Sequence, residues 1–214
     1  MPRVRVRQHV NPLSEKYQTP PNPLTWDKIY TDLIKPFFLD IGAPRGRFLL
    51  EMAQVQPEYN YLGLEIREPL VVEANRIRDE LTLTNLHYLF CHVNISLDIL
   101  LASLPKQTVN FVTIQFPDPW FKKRHGKRRI VQPELVNTLA DYLSPKGIVF
   151  LQSDVKFVIE EMCRHFMAHS TFIRETPFWL TENPLPVATE REISTQAENE
   201  PVYRTLFSKK THTR

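Results

Sequence analysis

Between residues 37 and 166 the chain alternates short apolar runs with helical stripes five times, and that alternation restricts the fold more than any other feature. Phe37-Phe-Leu-Asp-Ile41, Tyr59 to Glu65, Leu86 to Cys91, Val109 to Gln115 and Ile148 to Gln152 read as buried strands. Apolar residues at helical spacing follow them: Phe48, Leu49, Met52 and Ala53, then Leu70, Ala74, Ile77 and Leu81, with a short helix over Ser96 to Ser103. Leu135, Leu139 and Leu143 line the next helix, which should end at Ser144-Pro-Lys-Gly147, and Val158, Met162 and Phe166 mark the last. Beyond residue 170 the alternation stops, and Thr171 to Thr176 can pair antiparallel with Val202 to Phe207 across a long loop. This pattern predicts an α/β fold: a mostly parallel, doubly wound sheet with an antiparallel C-terminal edge. Ligands of such sheets bind outside the carboxyl ends of the strands, so chemistry is expected in the residues just after each strand.

With 214 residues, 42% of them hydrophobic, the chain suits one globular domain, taken as residues 37–214 behind a basic, proline-rich arm over 1–36. The formal charge is only +3, but the cations cluster at Arg3, Arg5 and Arg7, at Lys122 to Arg129, and at Lys209 and Lys210. A patchy positive surface on a near-neutral body suits a polyanion, although a solvated charge run is the simpler reading of any one cluster. Cys91 and Cys163 sit in apolar patterns and suggest buried, reduced thiols. No apolar run reaches the roughly 20 residues that span a bilayer, and the N-terminus lacks the apolar stretch of a secretory signal. A cytoplasmic enzyme or binding protein, without a membrane partner, is therefore expected.

Asp40-Ile-Gly-Ala-Pro-Arg-Gly46 lies at the first strand-to-helix turn, the place of a glycine-rich cofactor loop. Glu65 closes the second strand, where a carboxylate accepts ribose hydroxyls. A dinucleotide pyrophosphate needs G-x-G-x-x-G, and here the second glycine is Pro44, which is bulky and has no N–H. S-adenosyl-L-methionine fits better: it carries adenosine and ribose but no phosphate, and its sulfonium favours a carboxylate such as Asp40. A plain tight turn with Gly42 at its bend is the simpler alternative. Asn94, after the third strand, is either an adenine contact or a helix N-cap.

Phe116-Pro-Asp-Pro-Trp120 follows the fourth strand and runs into Lys122, Lys123, Arg124, Lys127, Arg128 and Arg129. An acid to read a base, an aromatic to stack or to prop the loop, and cations for phosphate make a nucleic-acid site. Asp154 follows the fifth strand as a ligand or, like Ser153, a helix N-cap, and Thr189-Glu-Arg-Glu192 is a further candidate or merely an acidic loop. His165 and His169 are spaced as metal ligands on a helix but lack a third partner, so no metal is expected. Walker, G-x-S-x-G and cysteine-protease signatures are absent from the sequence.

On Phe116-Pro-Asp-Pro-Trp120 with its cations, the loop at Asp40, Leu151-Gln-Ser-Asp154, Thr189-Glu-Arg-Glu192 and Pro201-Val-Tyr-Arg204, the chain resembles the bacterial tRNA (guanine-N7-)-methyltransferases over residues 37–207. The opening Arg5-Val-Arg-Gln-His resembles the arm of cyanobacterial members. The resemblance implies a Rossmann-like class I methyltransferase fold and cofactor contacts at Asp40, Glu65, Asn94 and Asp118. It also implies substrate contacts at Lys122, Asp154, Thr189 and Glu192, with Asp118 as the catalytic residue and the variable-loop guanosine of tRNA as target. Two positions depart from the family pattern: Pro44 stands where glycine is usual, and Phe121 replaces a common proline.

The expected reaction is transfer of the sulfonium methyl to guanine N7, by a monomer or homodimer. N7 has a free lone pair and no proton, so no general base is needed and orientation carries the catalysis. Two alternatives stay open: a methyltransferase of this fold acting on another RNA or a small molecule, and a non-catalytic RNA-binding module.

Overall fold

The computed structural model describes residues 10–104 and 107–211, so the cluster at Arg3, Arg5 and Arg7 lies outside the described residues. Seven strands form one sheet: β1 (Phe37–Ile41), β2 (Asn60–Glu65), β3 (Leu86–Phe90), β4 (Val109–Gln115), β5 (Leu143–Ser153), β6 (Phe172–Arg174) and β7 (Tyr203–Lys209). Their spatial order is β3-β2-β1-β4-β5-β7-β6. The first five strands run parallel, and β7 lies antiparallel to both β5 and β6, as the sequence pattern predicts.

Successive residues of β1 face opposite sides of the sheet and join different cores. Phe37, Leu39 and Ile41 pack with α3 (Val93–Ala102), α4 (Pro133–Tyr142) and α5 (Lys156–Ala168), while Phe38 packs with α1 (Arg47–Val55) and α2 (Glu68–Glu80). Helices therefore cover both faces, and the strand order reverses between β1 and β4. Their carboxyl ends open one crevice at that switch point.

Several boundaries differ from the sequence reading. Helix α4 stops at Tyr142, and Leu143, expected on the helix, begins β5 opposite Val109. Lys209 holds that junction by donating from Nζ to the carbonyls of Ala140 and Leu143, each at 2.6 Å. Helix α3 starts at Val93, which puts Asn94 in its first turn rather than at its cap. Leu81 caps α2 and is exposed. His169 caps α5 instead of continuing it, so its pairing with His165 on one helix face is not realised.

Residues 10–36 are packed rather than loose, with short 3-10 turns at Glu15–Tyr17 and Trp26–Lys28. Trp26 and Tyr30 belong to the larger core, where Tyr30 meets Phe37 edge-on at 5.2 Å. Trp26 donates to Ser103 Oγ at 2.8 Å and Tyr30 to the Tyr61 carbonyl at 2.9 Å, so each ring is buried with its polar tip satisfied. Helix α6 (Glu190–Ala197) stands where the sequence suggests an acidic loop. Its start follows from Thr189-x-x-Glu192, because Thr189 Oγ1 accepts from the Glu192 amide at 3.1 Å. No helix among the described residues is long and apolar enough to cross a membrane.

Candidate active site

A cleft of about 520 Å³ opens over the ends of β1, β2 and β4. Of the residues singled out in the sequence, Asp40, Gly42, Glu65, Asn94, Asp118, Asp154, Thr189 and Arg128 line it. Lys122, Lys123, Arg124, Lys127, Arg129 and Glu192 do not.

Asp40 is held in the middle of the sheet, paired in register with Gly63 of β2 and Thr113 of β4. Thr113 Oγ1 donates to its carboxylate at 2.6 Å. Burial pushes the Asp40 carboxyl up to about 6, the neighbouring Glu65 charge adds to the rise, and the Thr113 hydroxyl and Gln115 amide oppose it. Gly42 then turns the chain at φ 88°, and Gly46 starts α1 at φ 69°, both left-handed. At Gly46 the space is closed as well: a Cβ would lie 2.6 Å from the Tyr88 ring, whose hydroxyl donates to the Gly46 carbonyl at 2.5 Å. The Gly42 and Ala43 amides both donate to the Leu64 carbonyl, at 2.9 and 3.1 Å, and Pro44 has no N–H. Residues 42–44 therefore keep no amide for a phosphate, the opposite of a dinucleotide-binding loop.

Glu65, almost fully buried, grips Arg67. Arg67 Nε and its backbone amide approach Oε1 at 2.8 and 2.9 Å, and a terminal nitrogen reaches Oε2 at 3.1 Å. The Arg67 guanidinium also feels the charge of Asp118 across the cleft. Arg67 had no counterpart in the sequence reading, although an arginine two residues past a strand-end acid is placed to pair with it. Asn94 donates from Nδ2 to the Ile130 carbonyl at 2.9 Å, leaving its buried Oδ1 without a partner.

The turn after β4 is bracketed by two left-handed residues, Phe116 at φ 46° and Trp120 at φ 42°. Backbone held in that region needs outside support, and Arg129 supplies it. Its guanidinium donates to the Pro119 and Trp120 carbonyls at 3.0 Å each and pairs with Glu161. Arg129 is thus a clamp beneath the loop rather than the exposed phosphate contact expected of it: each of its three nitrogens already has a partner and its side chain is only 14% exposed. Arg128 lies over the Trp120 ring at 4.8 Å, and His125 meets that ring edge-on at 5.6 Å. Lys122, Lys123, Arg124 and Lys127 are exposed along the 3-10 turn of Lys123–Arg128, outside the cleft.

Helix α6 closes the remaining side. Glu190 meets Arg47 of α1 at 2.5 Å, and Arg191 pairs with Asp154 just past β5. Asp154 does not cap α5; the Val155 amide donates to Ser153 Oγ instead, at 3.1 Å. Glu192 is turned away from the cleft and buried, with Arg204 2.6 Å from one oxygen and Asn183 2.8 Å from the other. A substrate contact at Glu192 does not fit this geometry, because its carboxylate is enclosed by those partners. Thr189 lines the cleft while its hydroxyl caps α6.

Among the described residues no three His, Cys, Asp or Glu side chains converge as a metal site would require. Cys91 lines the cleft with its thiol pushed up to about 12 by burial, which leaves it protonated and unreactive.

A doubly wound sheet with a crevice at the β1/β4 switch point, lined by carboxylates and entered by a first turn whose residues 42–44 offer no amide to a phosphate, is the architecture of a Rossmann-like methyltransferase. The aminoglycoside resistance methyltransferase NpmB1 shares this fold with a TM-score of 0.53 over 85% of this chain and 88% of that one, at 14% identity. The family described as "Putative methyltransferase" matches residues 34–205. A tRNA (guanine-N(7)-)-methyltransferase of Trichormus variabilis is 61% identical across 98% of both chains. One of Microcystis aeruginosa is 57% identical across 97% of this chain and 99% of its own. The chain belongs to the tRNA (guanine-N(7)-)-methyltransferase family.

Proposed function

We propose that this protein methylates N7 of a guanine in tRNA, with S-adenosyl-L-methionine as donor. The observation that carries the reading is the convergence of Asp40, Glu65, Asp118 and Asp154 on one cleft, in a chain 61% identical end to end to a tRNA (guanine-N(7)-)-methyltransferase.

The residues present fit such a donor. The buried Oδ1 of Asn94 is an acceptor awaiting a donor, as an adenine amine would provide. The carboxylate of Glu65 suits ribose hydroxyls once Arg67 shifts, and Asp40 offers a negative charge to a cation. When bound, the cofactor supplies a methyl group made electrophilic by the sulfonium charge.

The chain's own part is placement. Asp118 sits in a turn fixed by Arg129, so its carboxylate is presented from a rigid support. A carboxylate there accepts guanine N1–H and N2–H together, which leaves N7 and its lone pair directed at the donor. No side chain has to remove a proton from N7. The same negative charge favours the cationic ring that forms. Asp154, with Arg191, and Thr189 border the space the base would enter, while Lys122, Lys123, Arg124 and Lys127 attract tRNA phosphates and make affinity strongly salt-dependent. A cytoplasmic location follows from that substrate.

Transfer of label from the cofactor to tRNA transcripts with and without the variable-loop guanine tests the reading. Label in the first alone is expected, whereas equal labelling of both would reject the proposed site. Asp118→Ala should lose about two to three orders of magnitude in turnover while tRNA affinity is retained; wild-type turnover in that variant would remove Asp118 from the reaction.

A further inference from the structure

Phe121 is 71% exposed at the lip of the cleft, immediately after the loop that carries Asp118. Its ring leans on Phe157 of α5, with centroids 5.7 Å apart and planes at 53°. Phe157 in turn lies under the Arg129 guanidinium at 5.1 Å, the same group that ties down the loop. Phe121 is therefore an aromatic face offered to solvent from a fixed base. Trp120, the other aromatic of this loop, already has Arg128 over its ring and His125 at its edge. Isolated exposed apolar residues are ordinary on a protein surface. This one differs in having a braced support, a place on the cleft rim, and exposed cations at Lys122, Lys123 and Arg124 directly following it.

We propose that Phe121, backed by Phe157, is the stacking seat for an unpaired nucleobase next to the base that enters the cleft. The inference rests on the function proposed above and adds a subsite to it. A flat aromatic face accepts any base, and the cations beside it suit that nucleotide's phosphates, so the charge and the shape select the same ligand. Taking the target guanine out of its stack leaves its neighbour's face uncovered, and a ring at the rim replaces the lost contact. Stacking of this kind contributes roughly tenfold to hundredfold in affinity.

The test uses full-length protein, filter binding of tRNA at fixed salt, and turnover. Phe121→Ala should weaken tRNA binding and raise KM about tenfold, with kcat, cofactor affinity and melting temperature unchanged, and Phe121→Trp should restore both. Replacing the nucleotides flanking the target guanine by abasic sites should cost the wild type the same factor and the alanine variant nothing further. Unchanged binding in Phe121→Ala, an equal loss on intact and abasic tRNA, or a tryptophan variant as weak as alanine would each overturn the proposal. The binding measurements require no methyl transfer, so failure of the seat and failure of the proposed reaction give different results.

Discussion

Gln152 donates from Nε2 to Gln115 Oε1 at 2.6 Å, and this bond decides which way the Gln115 amide faces. The orientation of Gln152 is itself forced. Arg204 Nε donates to its Oε1 at 3.2 Å, and its nitrogen also approaches the Glu192 carboxylate at 3.2 Å, which can only accept. The Gln115 nitrogen is left pointing toward Asp40 and the cleft. A buried polar chain thus runs from β7 through β5 to Gln115 on β4, whose Nε2 lies near enough to lower the Asp40 pKa but is buried without a hydrogen-bond partner.

Gln115→Leu should therefore disturb Asp40 first. Thr113 and Gln115 of β4 lower the Asp40 pKa, while burial and Glu65 of β2 raise it, and Tyr88 of β3 faces it from the next strand. Without the amide the value climbs above about 6, so less of the ionised form is present near neutrality. Calorimetry should show cofactor affinity weaker than wild type at pH 7 and recovering towards it at pH 9, where Asp40 is ionised in both proteins. A loss that is the same at every pH would assign Gln115 a purely structural role.

Asp40 also makes a stability prediction. Its folded pKa is raised from 3.8 to about 6, so the folded state favours the protonated acid. The cost of burying the charge is absent below the unfolded value, grows as pH rises through the interval, and is complete above the folded value. Each tenfold change in an ionisation constant is worth about 1.4 kcal/mol. Asp40→Asn should therefore match the wild type near pH 4 and exceed it by roughly 3 kcal/mol at pH 7. Denaturant melts at the two pH values measure this, and an equal gap at both would contradict it.

Arg204 and Glu192 form a buried pair whose side chains are 4% and 2% exposed. Removing one partner strands the other, so Arg204→Met should cost about 3–5 kcal/mol. Removing both with Arg204→Met and Glu192→Leu should recover much of that loss. Chemical denaturation of the two variants tests the pair. A double variant less stable than the single one would mean that Glu192 is held chiefly by Gln152 and Asn183.

Arg129 and the lysines beside it should separate in their response to salt. Lys123→Ala or Lys127→Ala should weaken tRNA binding and reduce the slope of log affinity against log salt by about 0.7–0.9 each. Arg129→Met, which removes the charge, should leave that slope alone and lower kcat, because the Pro119 and Trp120 carbonyls lose their clamp. The kcat of Arg129→Met and the salt slopes of the three variants decide between the two roles.

The sheet was legible because its signals are local and redundant: each parallel strand is an apolar run and each helix an apolar stripe. Asp40, Glu65 and Asp118 were found because an open α/β sheet places its chemistry at strand ends. The parts that were missed depend on contacts distant in sequence. Nothing near Glu192 announces that Arg204 and Gln152 will enclose it, and a cation run gives no sign that Arg129 alone turns inward to Glu161. Trp26 and Tyr30 were hidden by the prolines around them, since an irregular segment without periodicity can still contribute large rings to a core. Helix α6 was readable from Thr189-x-x-Glu192, but its short length and polar face carried no hydrophobic stripe to point it out.

Strand β7, residues 203–209, is inserted between β5 and β6. Until it arrives, β6 has no neighbour to pair with, Glu192 lacks the Arg204 guanidinium, and the Gln152 oxygen lacks its donor. The two sides of the crevice thus draw on different stretches of chain: one is built from β1 to β4, while the wall made by α6 is held by a strand that follows it in sequence. Asp40, Glu65 and the turn of Asp118 are held by Thr113, Arg67 and Arg129, so the C-terminal strand governs the far wall of the crevice and not the carboxylates on its floor.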